Sequence, residues 1–337
     1  MKVIYEKLPS RKKRCVVTIG VFDGIHLGHR FILKKTKADA RKKGISSLVI
    51  TFDISPRKFL DKILSLNNPK NPKPFGGYLT GKGEKIALIE SLGIDYLWFL
   101  KTKKSLLELS AKDFMDYVFK YFEVKKLIVG EDFRFGHKGR GDLDYLKKLT
   151  KEYDFQLSVL KKKSKGKKII SSSAIRSLIK QGKLKQANKL LGRNFSLKAK
   201  VGKGKGLGRS LGFPTANLKF GGYVIPGQGV YAAYAVVHSV RDRISNGANR
   251  KVYLAVVNIG FQPTVNKHRN KAIEAHLINF NKNIIDKNIK IVFLEKIRKE
   301  KKFPSLQALR SAIQKDIDFV TAKYSASPAN HTQLIVS

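Results

Sequence analysis

Two kinds of pattern divide the chain, and they restrict its possible folds more than any other feature. Over the first half, short apolar runs such as VVTIGVF, SLVITF and IDYLWFL alternate with segments of helical periodicity. From Phe195 onward, apolar runs rich in Val, Tyr and Ile follow one another with Gly, Pro and Asn between them. Strands that alternate with helices predict a parallel sheet, whereas consecutive strands predict an antiparallel barrel.

We therefore expect two domains, which a length of 337 residues also favours. Residues 1–185 form an α/β domain, whose parallel sheet would bind ligands beyond the carboxyl ends of its strands. We expect residues 186–325 to form a small antiparallel β-barrel of five or six strands with a terminal helix from about Ser305, and residues 326–337 to be a disordered tail. The stretch after SLVITF contains Pro56, Pro72 and Pro74 and is expected to be a loop.

The charge of the chain is strongly positive. It has 69 Lys and Arg against 25 Asp and Glu, a formal net charge of +44. Phosphate-rich nucleic acid is the first partner that such a charge suggests. The lysines are spread over the whole chain and form no single stripe or tail, which argues against nucleic acid. They favour a compositional bias together with anionic small substrates.

The sequence also indicates a compartment. The N-terminus, MKVIYEKLPSRKKR, lacks the apolar stretch of a signal peptide. No run approaches the roughly 20 apolar residues that cross a bilayer, so no membrane partner is expected. The single cysteine, Cys15, excludes a disulfide framework and favours a reducing, cytoplasmic setting. The sequence does not specify an oligomeric state.

The stretch FDGIHLGHR lies where the first strand of the α/β half should turn into a helix. The residues with distinctive chemistry are Asp23, Gly24, His26, Gly28 and His29. The first glycine permits a sharp turn, the second lets a ligand approach the backbone, and the histidines share one face of the first helical turn. A helix N-terminus is suited to phosphate, so we predict a nucleotide site. A zinc pair, for which no third ligand stands nearby, and buried structural histidines are the alternatives.

Two further stretches follow in the α/β half. VGEDFRFGHKGRGD comes after a predicted strand, and ISSSAIRSLI opens a predicted helix. The second places three hydroxyls and Arg176 at a helix start, where they would grip a triphosphate. An ordinary serine N-cap is the alternative.

In this order the three stretches resemble the adenylyltransferase module of the bacterial bifunctional riboflavin kinase/FMN adenylyltransferases. His26-Leu27-Gly28-His29 is similar to the H-x-G-H signature of the nucleotidyltransferase superfamily. That signature alone also fits class I aminoacyl-tRNA synthetases, but neither ISSSAIR nor the barrel supplies their Lys-Met-Ser-Lys-Ser-like loop or anticodon-binding region. The resemblance implies a Rossmann-like nucleotidyltransferase domain in which FMN and ATP give FAD and pyrophosphate.

The resemblance also implies roles for individual residues. His26 and His29 would relieve charge on the ATP phosphates during the reaction. ATP would be bound by Asp23, Gly24, His26, Gly28, His29, Ser172, Ser173 and Arg176. The flavin would lie beside Asp132, Phe133, Arg134 and Phe135, with Arg134 and Arg140 near phosphates.

This chain departs from the family pattern at three places in the α/β half. Ile54-Ser55-Pro56-Arg57 replaces a His-Pro-Arg-like stretch, Ser173 replaces the usual Thr, and Ile169 stands where some members carry Arg. These departures keep open a kinase-only enzyme with a weakened adenylyltransferase.

The second half opens with GKGKGLGRSLGFPTANL, which is Gly-rich and basic. It fits neither the P-loop nor the dinucleotide-binding pattern, but such a loop can wrap phosphates with backbone N–H groups and with Lys205 and Arg209. A flexible hairpin is the alternative. Thr215 and Asn217 face the same way in an extended segment and suit Mg²⁺ as two hard-oxygen ligands.

Pro214-Thr215-Ala216-Asn217 resembles the Pro-Thr-Ala-Asn motif of riboflavin kinases. The resemblance implies a six-stranded antiparallel riboflavin-kinase β-barrel with Mg²⁺ on Thr215 and Asn217. Glu274, in AIEAHLINF, would be the base that takes the proton from the ribityl hydroxyl, and a solvent-facing acid is the alternative. ATP would be bound by Gly204, Lys205, Gly208 and Arg209, although Leu207 stands where Arg is frequent.

The predicted function is therefore bifunctional flavin cofactor synthesis. Riboflavin and ATP give FMN in the barrel, and FMN and a second ATP give FAD in the α/β domain. The rival from another class is a basic nucleic-acid-binding protein on the same fold, which would bind RNA or DNA with a steep salt dependence.

Overall fold

A computed structural model describes the chain over residues 1–6, 8–67, 75–165, 168–204, 207–238, 250–261 and 271–325. It divides into two compact units, one of Met1–Gly76 and Lys82–Ser171 and the other of Gly77–Gly81 and Ser172–Ser337. The units thus divide at 171/172, and the domain limit predicted at 185/186 stays a prediction. The predicted tail, residues 326–337, lies outside the described residues.

The first unit alternates strands and helices. Its elements are β1 (Lys2–Ile4), β2 (Lys13–Ile19), α1 (Leu27–Lys42), β3 (Ser46–Phe52), α2 (Pro56–Asn67), α3 (Lys82–Glu90), β4 (Tyr96–Leu100), α4 (Lys104–Leu107), α5 (Ala111–Tyr121), β5 (Phe122–Gly130), a 3₁₀ turn (His137–Gly139), α6 (Leu143–Tyr153), β6 (Gln156–Leu160), β7 (Ser164–Lys165) and β8 (Lys168–Ile169). Within the described residues, six strands form a parallel sheet in the order β1-β4-β3-β2-β5-β6. The predicted parallel α/β fold is confirmed.

The order of the strands reverses beside β2. The chain runs from β2 to β3 and β4 on one side, and later places β5 on the other side of β2. Ligands of open parallel sheets bind beyond the carboxyl ends of the strands at such a reversal. β2 ends at Ile19 and β5 at Gly130, so the segments that carry FDGIHLGHR and EDFRFG leave the same edge of the sheet.

Both faces of the sheet are buried. In β3, Leu48 and Ile50 belong to one apolar cluster and Val49 belongs to another, because successive side chains point to opposite faces. All three side chains are fully buried. This burial explains why the strands have continuous apolar sequences and no polar alternation.

The prediction of a loop after β3 is wrong for residues 56–67. The structure has the helix α2, which begins at Pro56, and the N–H of Phe59 donates to the carbonyl of Ser55 at 3.0 Å. Proline suits a first helical position because its φ is already helical and its missing N–H would have no partner within the helix. Pro72 and Pro74 lie outside the described residues.

The second unit is a barrel with helices. Its elements are α7 (Ser172–Lys180), α8 (Leu184–Leu191), β9 (Phe195–Gly202), α9 (Leu207–Ser210), β10 (Thr215–Lys219), β11 (Gly229–His238), β12 (Arg250–Phe261), β13 (Lys271–Leu277), β14 (Asn288–Arg298) and α10 (Leu306–Tyr324). In the described part of the chain, six antiparallel strands close in the order β10-β13-β12-β11-β14-β9, which confirms the predicted barrel.

The terminal helix covers part of the barrel. Val320 of α10 is fully buried in a cluster with Val230, Ala232 and Val256. Such an apolar helix face holds the element on the sheet and protects the strands beneath it from water.

Candidate active sites

The segment between β2 and α1 is a turn with an uncommon backbone. Phe22, Gly24 and Ile25 have φ angles of 47°, 89° and 38°. Residues other than glycine rarely adopt such φ angles, so the surrounding structure must impose them on Phe22 and Ile25. The side chains of Phe22 and Ile25 are both buried in an apolar cluster. The turn ends at His26, whose extended backbone forms the N-cap of α1.

Two histidines stack at the start of α1. The ring centroids of His26 and His29 are 3.6 Å apart, with 18° between the ring planes. Nδ1 of His26 accepts a hydrogen bond from the backbone N–H of His29 at 3.2 Å. The first turn, residues 27–30, contains no acidic side chain, so none offsets the positive end of the helix there. The structure thus brings the two predicted histidines together at a helix N-terminus.

Gly28 lies against the first of these histidines. A Cβ atom at Gly28 would be 3.2 Å from Cε1 and from Nδ1 of His26, and 3.7 Å from the carbonyl oxygen of Ile170. The main chain that opens the ISSSAIR stretch therefore passes beside the H-x-G-H segment. A larger residue at position 28 would displace the ring of His26.

A buried lysine beneath the turn was missed by sequence reasoning. Lys85 of α3 is 7% exposed, and its Nζ donates to the carbonyl oxygen of Val21 at 2.8 Å. Thr51 of β3 donates to the same oxygen at 3.1 Å. Burial lowers the pKa of Lys85 to about 8, while the charge of Asp23 acts in the opposite direction. A lysine in the pattern KGEKIALI is typical of an exposed helix face, so no sequence signal reveals it.

The aromatic residues predicted to bind flavin have different environments. Phe135 is 6% exposed and lies in the core, with ring centroids 6.1 Å from Phe114 and 6.3 Å from Tyr145. Its backbone pairs with that of Gly141. Phe133 is half-buried and stacks on Phe135 at 5.5 Å and 17°. Phe133 is thus the accessible ring of the two, and Phe135 supports it from the core.

The charged residues of this segment are exposed. Asp132 pairs with Lys162 at 3.0 Å, and Arg134 pairs with Asp142 at 3.1 Å. A hydrogen bond from the N–H of Tyr145, together with Arg134, holds the pKa of Asp142 below its usual range. Arg140 is also exposed. Asp132 and Arg134 therefore lie at the sheet edge where the resemblance predicts the flavin.

The second unit begins within the ISSSAIR stretch, at Ser172. α7 starts at Ser172, which is half-buried, and Ser173 is exposed. Nε of Arg176 donates to the carbonyl oxygen of Gly77 at 2.8 Å. The contact of these three residues with ATP stays a prediction from the resemblance.

In the barrel, the Gly-rich stretch lies against the predicted metal ligands. A Cβ atom at Gly204 would lie 1.8 Å from Nδ2 of Asn217, and one at Gly208 would lie 2.9 Å from Oγ1 of Thr215. Thr215 and Asn217 are two residues apart in β10 and share one face of the strand. The structure thus brings together four residues that the sequence singled out.

Two other predicted nucleotide residues belong to the same stretch. Arg209 is exposed in the short helix α9. Lys205 lies outside the described residues.

Strand pairing places Glu274 beside the same two residues. Asn217 of β10 is directly opposite Glu274 of β13, and Thr215 is opposite His276. On the other side of β13, Glu274 is opposite Asn258 of β12. Directly opposed side chains point to the same face, with Cβ atoms about 4.5–5.5 Å apart. Asn217, Glu274 and Asn258 therefore form a polar row across three adjacent strands.

This polar row faces away from the barrel interior. Ile273 and Ala275, on either side of Glu274, are buried, so Glu274 points to the opposite face. Burial raises the pKa of Glu274, which makes it a better proton acceptor than an exposed carboxylate. Nδ1 of His276 lies 2.9 Å from the carbonyl oxygen of Pro214. Only the strand register reveals Asn258 and His276, and sequence reasoning missed both.

The predicted metal site in the barrel offers oxygen donors. In the described ranges, no group of three or more His, Cys, Asp or Glu side chains is arranged to hold a metal ion. A hydroxyl and an amide oxygen are hard donors of the kind that Mg²⁺ accepts together with phosphates and water, so Thr215 and Asn217 fit this ion.

Among the helices described by the structure, none has the length and apolar character to span a bilayer.

Family models match both units of the chain. One described as FAD synthetase matches residues 8–174, and one described as riboflavin kinase matches residues 191–324. A crystal structure from Streptococcus pneumoniae, described as a macrolide-efflux protein, is similar with a TM-score of 0.80 and 26% identity, over 96% of this chain and 99% of that chain.

Curated relatives cover nearly the whole chain. The bifunctional riboflavin kinase/FMN adenylyltransferase of Buchnera aphidicola subsp. Schizaphis graminum is 36% identical over 95% of this chain and 98% of its own length. The protein of the same name from Escherichia coli K12 is 34% identical over 93% and 94%. With both parts present in this order, the chain belongs to the family of bifunctional riboflavin kinase/FMN adenylyltransferases.

Proposed function

We propose that the two reactions of this family occur at two separate sites, one at the carboxyl edge of the parallel sheet and one on the outer face of the barrel. The observation that carries the first site is the stacked histidine pair at the N-terminus of α1, beside the reversal of strand order. The observation that carries the second is the register that sets Glu274 beside Asn217.

At the sheet edge, a phosphate oxygen of FMN attacks the α-phosphorus of ATP. The bond between the α-phosphorus and the bridging oxygen breaks, and pyrophosphate leaves. This transfer needs positioning and relief of negative charge more than a protein nucleophile. His26, His29 and the positive end of α1 supply that relief, and Gly28 lets the phosphates approach the backbone.

The flavin of FMN lies beside the segment after β5 in this proposal. Phe133 offers a partly exposed ring for stacking, while Asp132 and Arg134 offer polar contacts at the same edge. Phe135 acts from the core as the support of Phe133. The resemblance of the ISSSAIR stretch adds Ser172, Ser173 and Arg176 as contacts of ATP.

On the barrel, Glu274 takes the proton of the ribityl 5′-hydroxyl. The hydroxyl oxygen attacks the γ-phosphorus of ATP, the bond to the β–γ bridging oxygen breaks, and ADP leaves. The raised pKa of Glu274 suits a group that must accept a proton. Gly204 and Gly208 let the Gly-rich main chain lie close to Asn217 and Thr215. The backbone N–H groups of this stretch bind phosphates in this proposal, and Lys205 and Arg209 add positive charge.

Thr215 and Asn217 are the residues that would hold Mg²⁺, which neutralises the charge of ATP phosphates when it is bound. The ATP and FMN molecules are anions, so a net charge of +44 favours their approach to both sites. A reducing, cytoplasmic setting remains our expectation from the single buried cysteine.

The test is to follow FMN and FAD separately by chromatography, with riboflavin or FMN as the starting flavin. Glu274→Gln should lower FMN formation by about 10²–10⁴-fold, the usual contribution of a general base, and leave conversion of added FMN to FAD unchanged. His29→Ala should lower the conversion of added FMN to FAD and leave FMN formation from riboflavin unchanged. Asp318→Asn, an exposed change on α10, is the control and should alter neither rate. Equal loss of both products in both variants would rule out the two-site assignment.

A further inference from the structure

We propose that Lys85 is a positioning residue for adenylyl transfer: together with Thr51 it holds the carbonyl group of Val21 and thereby fixes the turn that presents His26 and His29 to ATP. The inference rests on the role proposed above for the two histidines. The test below separates a failure of that role from a failure of this one.

The carbonyl group of Val21 is tied down from two elements. Lys85 of α3 donates to its oxygen at 2.8 Å and Thr51 of β3 donates at 3.1 Å, while the lysine Nζ lies 3.5 Å from the threonine Oγ1. One residue earlier, the N–H of Gly20 donates to the carbonyl of Ile50 at 3.0 Å. Residues 20 and 21 are therefore anchored where the chain leaves the sheet.

The turn needs such an anchor. Directly after Val21 the chain passes through three positive φ angles, at Phe22, Gly24 and Ile25, and then reaches His26. Backbone conformations of this kind persist only where the surroundings impose them. Small displacements of positioned groups are costly in catalysis, so a looser anchor would lower the rate even with both histidines present.

Stability alone does not explain a lysine at this position. Its ammonium group is buried, which disfavours the charged form. The carbonyl of Val21 would keep the hydrogen bond from Thr51 without it, so the lysine is not required to satisfy that oxygen. The ammonium group is also attracted to Asp23, which lies inside the turn. The ammonium group therefore acts on the turn at two points.

The groups around the ammonium determine its response to pH. From the turn, Asp23 attracts it, and from β3, Thr51 faces it without titrating. On α3 itself, Lys82 lies with its Nζ 4.2 Å from the ring centroid of Tyr5, and Glu84 is the preceding residue. Burial lowers the pKa of Lys85 to about 8, so the anchor loses its charge as pH rises through that value.

Three variants test the anchor. Lys85→Met removes the ammonium group and keeps an unbranched stem. Lys85→Arg keeps a positive charge at every pH used, because guanidinium does not deprotonate in proteins. Thr51→Val removes the hydroxyl and keeps the shape. Lys37→Met is the matched control, since it removes a partly buried lysine of the same unit that pairs with Asp95 at 2.7 Å.

For each variant we would measure steady-state FAD formation from FMN and ATP, and phosphorylation of riboflavin by the same sample as an internal reference. We expect Lys85→Met to lower kcat for FAD formation at least about tenfold, with the KM for FMN within about twofold, because the turn acts on the triphosphate. Thr51→Val should lower kcat by about two- to fivefold. Lys37→Met should match the wild type, and all four variants should phosphorylate riboflavin normally.

The pH profile gives a readout that a purely structural lysine would not change. In the wild type, FAD formation should fall as pH rises above about 8, while in Lys85→Arg the fall should move to higher pH. Identical profiles would overturn the inference, as would a wild-type kcat in Lys85→Met. If Lys85→Met also loses riboflavin phosphorylation, Thr51→Val decides the outcome. A selective loss of FAD formation in Thr51→Val would support the inference, and its absence would count against the inference.

His29→Ala belongs in the same panel. If that variant forms FAD at the wild-type rate, the proposed role of the histidines fails, whatever Lys85 does. If His29→Ala is inactive and Lys85→Met is fully active, only the positioning role of Lys85 fails.

Discussion

Gly204 and Gly208 are positions where one added methyl group should have a large effect on the phosphorylation of riboflavin. A Cβ atom at Gly204 would collide with the amide of Asn217, and one at Gly208 would lie 2.5 Å from the carbonyl oxygen of Phe213. We expect Gly204→Ala and Gly208→Ala to lower kcat/KM for riboflavin phosphorylation by about 10–100-fold, which corresponds to about 1–3 kcal/mol of overpacking. Conversion of FMN to FAD, measured in the same samples, should not change.

Gly221→Ala is the matched control for this prediction. Apart from Gly221 and its two chain neighbours, no heavy atom in the described part of the chain lies within 4 Å of a Cβ atom placed there, so the added methyl group meets open space. If Gly221→Ala lost as much riboflavin phosphorylation as Gly204→Ala, the effect would come from general stiffening of glycine segments and not from contact with Asn217.

Some residues of the candidate sites could be predicted from sequence and others could not. His26, His29 and Glu274 belong to local motifs whose chemistry is legible in a few consecutive residues. Lys85 could not be found, because its burial depends on β3 and on the turn after β2, both distant in sequence. Asn258 was missed because its position beside Glu274 depends on the register of two strands.

At the scale of secondary-structure elements, long periodic segments were predictable and short or proline-marked ones were not. LDYLKKLTKEY predicts a helix, and α6 covers those residues, with Asp142 as its N-cap. β1 has three residues, too few to show an alternating pattern, and it is defined by its pairing with β4. α2 was hidden by Pro56, which begins a helix as readily as it ends one.

Glu295 of β14 joins three elements of the second unit. Its buried carboxylate pairs with Lys185 of α8 and with Lys323 of α10, and it accepts a hydrogen bond from Tyr324. Burial raises its pKa, but the hydrogen bonds from Lys185, Lys323 and Tyr324 outweigh burial and lower the pKa to about 2 from 4.5. The carboxylate is therefore more stable in the folded than in the unfolded chain.

This pKa shift predicts a pH dependence of stability. Because the folded pKa lies below the unfolded one, the contribution is fully present above about pH 4.5 and is lost as pH falls toward 2. The lysines are partly exposed, so we expect a loss of about 2 kcal/mol from this carboxylate. Hydrogen exchange of β14 amides between pH 4.5 and 2 should show this loss of stability in the wild type and not in Glu295→Gln. The same dependence of stability on pH in the two proteins would contradict the prediction.

At the scale of the whole molecule, the order of the two domains could be predicted from sequence. The residue at which one ends and the other begins depends on contacts between distant residues. The limit at 185/186 was predicted from the helical pattern QGKLKQANKLLGRN, lies within α8, and stays a prediction. Two hydrogen bonds of α7 lie within the second unit: the carbonyl of Ile179 accepts from the N–H of Gly227 at 3.1 Å, and Nε of Arg176 donates to the carbonyl of Gly77 at 2.8 Å. Such contacts between distant residues leave no trace in local periodicity.

The positive charge of the chain extends beyond the two candidate sites. In the first unit, a groove of about 660 Å³ is lined by Lys34, Lys37, Arg41 and Lys42 of α1, away from the histidines at the start of that helix. Charge on this scale attracts ATP and FMN over distances up to the Debye length, about 10 Å at 0.1 M salt, and adds no selectivity. The selectivity must come from the local geometry of each site.

The most direct measurement of the two-site claim is to mix the Glu274→Gln and His29→Ala proteins with riboflavin, ATP and Mg²⁺. Each variant alone should form FAD from riboflavin at least about 100-fold more slowly than the wild type, because one is impaired in the first reaction and the other in the second. In the mixture we predict that free FMN accumulates first and that FAD follows after a lag, as FMN made on one chain diffuses to the other. A mixture that forms FAD no faster than the variants do separately would contradict the claim that the two reactions have independent sites.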